Sequence, residues 1–186
     1  DLTSTKVMQN AVYVADTRGN AAPARLAELQ GYVRSLQWTA DGKSLGFLYV
    51  PGATRHASAT AAAKPAAGEI GVTGVEVQRV ASLDAASGAL RELTPADIYA
   101  YEFDWSPDGS RIAYTAAQPP GDNNWWIAKL YMQPAQPGAE ARVLVDPASA
   151  ESGDLRGLQI ALPRWSPDAS RIAFIGGLMS DQGATG

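Results

Sequence analysis

Apolar and polar positions along this chain alternate with a period of two over short runs, and turn residues interrupt those runs at close intervals. That is the pattern of antiparallel strands joined by hairpins rather than of helices. Its clearest instance is Asp104-Trp105-Ser106-Pro107-Asp108-Gly109-Ser110-Arg111-Ile112-Ala113-Tyr114. An apolar run leads up to Trp105, and Ile112 and Tyr114 alternate on the way back. Between them Pro107 fixes φ near about −65°, Ser106 and Asp108 can bond local N–H groups, and Gly109 closes the turn at positive φ.

The same text occurs twice more, as Gln37-Trp38-Thr39-Ala40-Asp41-Gly42-Lys43-Ser44-Leu45-Gly46-Phe47 and as Arg164-Trp165-Ser166-Pro167-Asp168-Ala169-Ser170-Arg171-Ile172-Ala173-Phe174. The tryptophans are spaced by 105 − 38 = 67 and 165 − 105 = 60 residues, and the turn aspartates Asp16 and Asp84 by 84 − 16 = 68. The implied unit is four antiparallel strands, A-B around the Trp-Ser-Pro-Asp turn and C-D around an Asp-x-x-x-Gly turn. Short strands at this spacing also suit a sandwich. Repetition of one four-stranded unit favours an all-β fold, a partial propeller whose blades pack face to face. Trp38, Trp105 and Trp165 are then expected as core residues between blades. Asp41, Asp108 and Asp168 are expected to cap their own turns, too far apart to share a metal.

In chain order, residues 1–30 read as the C-D hairpin of a first blade, with strands over 10–16 and 23–29. Residues 31–95 read as a second blade, with strands over 32–38, 45–50, 75–84 and 90–93 and an Ala-, Gly-, Pro- and Thr-rich insertion over 51–74. Residues 96–147 read as a third blade, with strands over 99–105, 111–115, 125–132 and 142–145. Residues 148–186 supply the A-B hairpin of a fourth. In 125–132, Trp125, Ile127, Lys129 and Tyr131 fall on one face and Trp126, Ala128, Leu130 and Met132 on the other. Both faces are largely apolar, as for a sheet covered on both sides. Trp125 and Trp126 are accordingly read as inter-blade core. The competing reading places one of them, with Asn123 and Asn124, on a surface that meets a catalytic domain or a peptide.

Composition narrows the chemistry. A length of 186 residues with 46% hydrophobic content suits a globular chain with a sizeable core. Lys plus Arg is 15 against 19 for Asp plus Glu, a net charge of −4, which argues against a nucleic-acid surface. The absence of cysteine excludes disulfides, thiolate metal sites and a Cys nucleophile. No apolar run approaches the roughly 20 residues of a membrane helix, and no signal peptide opens the chain. Strand-like sequence follows Asp1 so closely that the chain is expected to be part of something longer. Gly176-Gly177 and Gly183 are not followed by the Lys-Ser/Thr of a phosphate loop, so no cofactor is expected. The single histidine, His56, lies in the Ala-rich insertion and reads as a solvated loop residue, because a general base needs a nucleophile and an orienting carboxylate within reach. There is no Gly-x-Ser-x-Gly elbow. This chain is not expected to be an enzyme by itself.

The Trp-Ser-Pro-Asp-Gly-x-x-Ile-Ala-Tyr pattern resembles the WD40-like (PD40) propeller repeats shared by periplasmic TolB and the prolyl oligopeptidase (S9) peptidases. Glu102-Phe103-Asp104-Trp105-Ser106-Pro107-Asp108-Gly109 and Pro120-Gly121-Asp122-Asn123-Asn124-Trp125-Trp126-Ile127-Ala128-Lys129-Leu130-Tyr131 are similar to the propeller of bacterial dipeptidyl and acylaminoacyl peptidases. The resemblance covers nearly the whole chain. It implies a periplasmic or secreted protein in which an N-terminal propeller caps a C-terminal α/β-hydrolase domain carrying a Ser-Asp-His triad. The propeller would then gate the access of short peptides. The partners implied are that domain and its peptide substrates, with no nucleic acid and no membrane. Self-association through open blade faces is a further expectation, since exposed sheet edges are otherwise a liability. A TolB-type binding module that docks proteins and performs no chemistry is the alternative.

Overall fold

A computed structural model describes residues 7–19, 21–54 and 76–178. Among these the chain is built on antiparallel strands: β1 (Gln9–Val14), β2 (Ala24–Trp38), β3 (Ser44–Pro51), β4 (Arg79–Asp84), β5 (Leu90–Glu92), β6 (Tyr99–Trp105), β7 (Arg111–Ala117), β8 (Lys129–Pro134), β9 (Arg142–Val145), β10 (Gln159–Trp165) and β11 (Ile172–Gly177). Two short 3-10 helices cover Asp122–Ile127 and Ala150–Leu155. The strands form three sheets, ordered β1-β2-β3-β4-β5, β6-β7-β8-β9 and β10-β11. His56 and most of the Ala-rich insertion lie outside the described residues.

The three Trp-bearing hairpins are closed by one repeated set of bonds. In the second copy the Ser106 hydroxyl donates to Asp108 Oδ1 (2.6 Å) and accepts from the Arg111 N–H (2.9 Å), while the Gly109 N–H donates to the Ser106 carbonyl (2.8 Å). Thr39 repeats this with Asp41, Ser44 and Gly42, and Ser166 repeats it with Asp168, Arg171 and Ala169. The last turn position has φ of 69° at Gly42, 69° at Gly109 and 57° at Ala169. That backbone is freely open to glycine and strained for alanine.

The C-D corners are less uniform than the repeat implies. Asp84 bonds the N–H groups of Ala86 and Ser87 and reaches Gly88 four residues on, whereas Asp16 reaches Gly19 three residues on. Strand β4 starts at Arg79 rather than 75, and β2 is one continuous strand where two were expected. The first half of β2 pairs with β1 and its second half with β3, with Gly31 (φ 142°) at the joint. Among the described residues no A-B pair lies outside β1 to hold that hairpin in a plane of its own. It instead covers the first sheet, burying Val12 and Leu29 against Leu45, Phe47, Tyr49, Ala81 and Leu83.

The opposite face of the first sheet meets the second. Leu48, Val80 and Leu93 pack there with Ile98, Ala100, Phe103, Trp105, Ile112, Tyr114 and Ala116. Period-two alternation accounts for the division, since Leu45, Phe47 and Tyr49 of β3 point one way and Gly46 and Leu48 the other. Strand β3 is thus buried on both faces, as β7 is in the second sheet. Polar ties cross the same junction: Gln78 Nε2 donates to the Ala100 carbonyl (2.7 Å), and Gln133 Nε2 donates to the Leu93 carbonyl (2.8 Å) while Gln133 Oε1 accepts from the Tyr114 hydroxyl (2.7 Å). The Gln133 amide is thereby matched at both ends, whereas Gln78 Oε1 is buried without a partner.

Trp38, Trp105 and Trp165 occupy one position in the repeat but not one environment, which corrects the expectation of a shared core site. Each ends its strand and pairs with Leu45, Ile112 or Ile172. Trp105 is 8% exposed, Trp165 is half-buried and Trp38 is 48% exposed. The indole packs backward, onto the B strand of the preceding sheet. Trp105 lies against Gly46 of β3, and Trp165 carries the Arg111 guanidinium of β7 over its ring at 4.8 Å. Among the described residues no sheet precedes the one containing Trp38, so its indole stays in solvent.

Candidate binding surface at the second sheet junction

The second sheet carries an aromatic knuckle at one end. The sequence reading extended the strand after β7 across 125–132, and the structure corrects this. Residues 122–127 are a 3-10 helix and β8 begins at Lys129, opposite Ala116. The cause lies across the ladder. Strand β7 stops at Ala117, followed within three residues by Pro119 and Pro120, which have no N–H to offer a partner. Residues 125–127 have no strand to pair with and close a local turn instead, with the Ala128 N–H donating to the Trp125 carbonyl (3.1 Å).

This turn is held from β6. The Tyr101 hydroxyl donates to the Gly121 carbonyl (2.6 Å), and the Tyr99 hydroxyl to Asp122 Oδ1 (2.8 Å). Asn124 Nδ2 donates to the Pro119 carbonyl (3.1 Å). Burial, reinforced by the Asp122 carboxylate, pushes both phenols well above their ordinary range, so they act as neutral donors. Asp122 Oδ2 and Arg34 Nε are buried without a hydrogen-bond partner near this point. Trp126 is left 56% exposed, with Ile127 and Asn123 exposed beside it. Trp125 and Asn124 are half-buried. The reading of Trp125 and Trp126 as inter-blade core is therefore corrected; neither is buried.

Trp125 lines a cleft of about 190 Å³ between the second and third sheets, with Tyr101, Glu102, Thr115, Ala128 and Ile160. That is smaller than the roughly 300–1,000 Å³ of small-molecule sites and suits one side chain of a protein partner. Two β6 carboxylates, one of them the cleft residue Glu102, tie the second sheet to the third. Glu102 accepts from the Leu162 N–H, and Asp104 Oδ2 accepts from the Trp165 N–H (2.7 Å). Both donors sit at or beside an irregularity in β10, where the pairing shifts between Ala161 and Arg164 and Leu162 adopts φ 55°. Strand β2 carries the same feature, a shift between Arg34 and Gln37 with Ser35 at φ 60°.

Asp41, Asp108 and Asp168 stay at their own hairpins. Their carboxyls are held below the usual range, Asp108 and Asp168 at about 2, first by the neighbouring Ser106 and Ser166 hydroxyls. In Asp41 the Lys43 backbone N–H is the main cause. The residues that sequence reasoning missed are Tyr99, Tyr101, Glu102, Asp104 and Arg34. Their signal was the polar side chains interleaved into an otherwise apolar A strand.

No family profile matches the chain, and no curated protein matches it. Among solved structures it is similar to the crystal structure of TolB from Acinetobacter baumannii, with a TM-score of 0.52 and 16% sequence identity. The match covers 88% of this chain and 31% of that one, so the chain spans about a third of the length of the structure it resembles. No helix among the described residues is long and apolar enough to cross a membrane. The fold is all-β and its sheets are arranged as in a TolB-like β-propeller.

Proposed function

We propose that this chain is a non-catalytic propeller segment of an S9-type serine peptidase, periplasmic or secreted. The propeller would meet a C-terminal α/β-hydrolase domain and restrict which short peptides reach it. The observation that carries this reading is the knuckle over 118–128. The residues whose text resembles the S9 propellers form a turn pinned by two tyrosines, which leaves Trp126 and Asn123 facing outward. A rigid turn that holds an indole in water is the composition of a contact surface rather than of a core.

The test is the product of the complete gene. A fluorophosphonate probe should label one serine in a Gly-x-Ser-x-Gly segment beyond Gly186, and aminoacyl or dipeptidyl substrates should be cleaved. Absence of both removes the peptidase reading. It would leave the second reading, a TolB-type protein-binding module, which the structural likeness to TolB favours.

A further inference from the structure

The cleft between the second and third sheets has a mixed lining. Tyr101 and Trp125 give it two aromatic residues, Ala128 and Ile160 give it aliphatic wall, and Glu102 brings a carboxylate. One oxygen of that carboxylate, Oε2, accepts from the Leu162 N–H. Among the described residues Oε1 accepts no hydrogen bond, and no Lys or Arg pairs with Glu102. An apolar side chain entering here would shut an unpaired charge away from water, which is costly. A cation would meet that charge and find aromatic rings beside it. The same junction already holds such a contact elsewhere. There the Arg111 guanidinium of β7 lies over the Trp165 ring of β10 at 4.8 Å.

The walls do not depend on how the third sheet continues. Both of its residues at the cleft, Ile160 and Ala161, lie on β10, which pairs with β11. In the second sheet further strands add beyond β7, as β8 and β9 do, and β6 keeps its place at the end. A continuation of the β10–β11 sheet on the same plan adds beyond β11 and leaves β10 as the wall.

We propose that this cleft binds the side chain of an arginine in a peptide. The guanidinium pairs with Glu102 Oε1 against the rings of Trp125 and Tyr101, and the methylene stem lies along Ala128 and Ile160. Arginine suits this better than lysine, because a planar, weakly hydrated guanidinium can stack on a ring and bond a carboxylate together. The chain's net charge of −4 favours the approach of a basic peptide. This deepens the peptidase reading and rests on it only for the source of the peptide.

Calorimetry on the product of the complete gene, treated with a fluorophosphonate so that no probe is turned over, tests this. The probes are acetyl-Gly-Arg-Gly-amide and its citrulline and norleucine counterparts. Acetylation removes the α-amine, so only the side chain carries charge. The arginine peptide should bind about tenfold more tightly than either of the others, the worth of one charge-assisted bond. Glu102→Gln keeps an acceptor for the Leu162 N–H and should erase the difference between arginine and citrulline. Trp125→Leu should narrow it. Equal affinity for the three peptides overturns the proposal, as does no binding of any, or an arginine preference untouched by either substitution. Cleavage is a separate readout: a gene product without hydrolase activity that still prefers the arginine peptide would remove the peptidase reading and keep this one.

Discussion

The indole of Trp105 rests on the backbone of Gly46 so closely that a Cβ at Gly46 would lie 2.6 Å from its Nε1. The contact joins the first and second sheets at a point where no side chain but hydrogen fits. The Trp105 indole N–H has no acceptor, so packing alone holds it. Gly46→Val should lower stability by about 1–3 kcal/mol, the usual cost of overfilling a packed core. With Trp105→Leu in the same chain, the added cost of Gly46→Val should shrink. Urea denaturation of the two single variants and the double variant measures this. Strict additivity would place the strain elsewhere.

Ala169 occupies the left-handed position that Gly42 and Gly109 hold in the sister hairpins. Ala169→Gly should therefore stabilise the chain by about 1 kcal/mol, the order of the steric penalty for a Cβ in that conformation. Gly109→Ala should do the reverse by a similar amount, since its Cβ would find only ordinary contact at 3.4 Å from Thr39. Thermal denaturation of both variants reads the opposite signs directly. Shifts in the same direction would mean that the turn conformation is not what distinguishes them.

The turn aspartates predict a pH dependence. Asp108 and Asp168 titrate at about 2 in the folded chain against an ordinary 3.8, because Ser106 and Ser166 hydroxyls donate to the charged carboxylates. A depressed folded value means that the stabilisation is in place above the unfolded value and is lost as pH falls from about 4 toward 2. Asp108→Asn cannot titrate there and should flatten that part of the profile while leaving neutral-pH stability lower. Denaturation midpoints taken across the acid range decide it. A profile as steep as wild type would assign the acid sensitivity to other carboxylates.

Tyr101→Phe should loosen the aromatic knuckle without unfolding the sheet. It removes one donor, to the Gly121 carbonyl, worth about 0.5–1.5 kcal/mol. Exchange of the Asn124 and Ala128 amides should quicken, and the strands of the second sheet should keep their protection. If the whole sheet loses protection together, the tyrosine supports the core rather than the turn.

Which parts of this were legible in the sequence follows from how local their causes are. The hairpins were readable because Ser106, Asp108 and Gly109 satisfy one another within five residues. So was the strain at Ala169, which needs only its two sister turns for comparison. Trp125 and Trp126 misled because their alternation fits a strand. What stops the strand is Pro119 and Pro120 on the partner side of the ladder, which a reading of 125–132 alone does not weigh. The burial of each tryptophan was unreadable from its own hairpin, since a different sheet decides it. Asp104 and Glu102 looked like ordinary surface carboxylates, and their bonds to the Trp165 and Leu162 N–H groups span 61 and 60 residues.

The backward reach of each indole also fixes what can be exchanged between such chains. A unit cut at the visible repeat boundaries carries its own tryptophan but not the residue of the preceding sheet that it packs against, Gly46 for Trp105 and Arg111 for Trp165. Transplanting it alone would set a large ring against whatever residue the new neighbour presents. The piece that moves intact runs instead from that residue of one hairpin to the indole of the next, straddling two apparent units. Recombination that respects the seams seen by eye would break the fit, and recombination through the middle of a sheet would keep it.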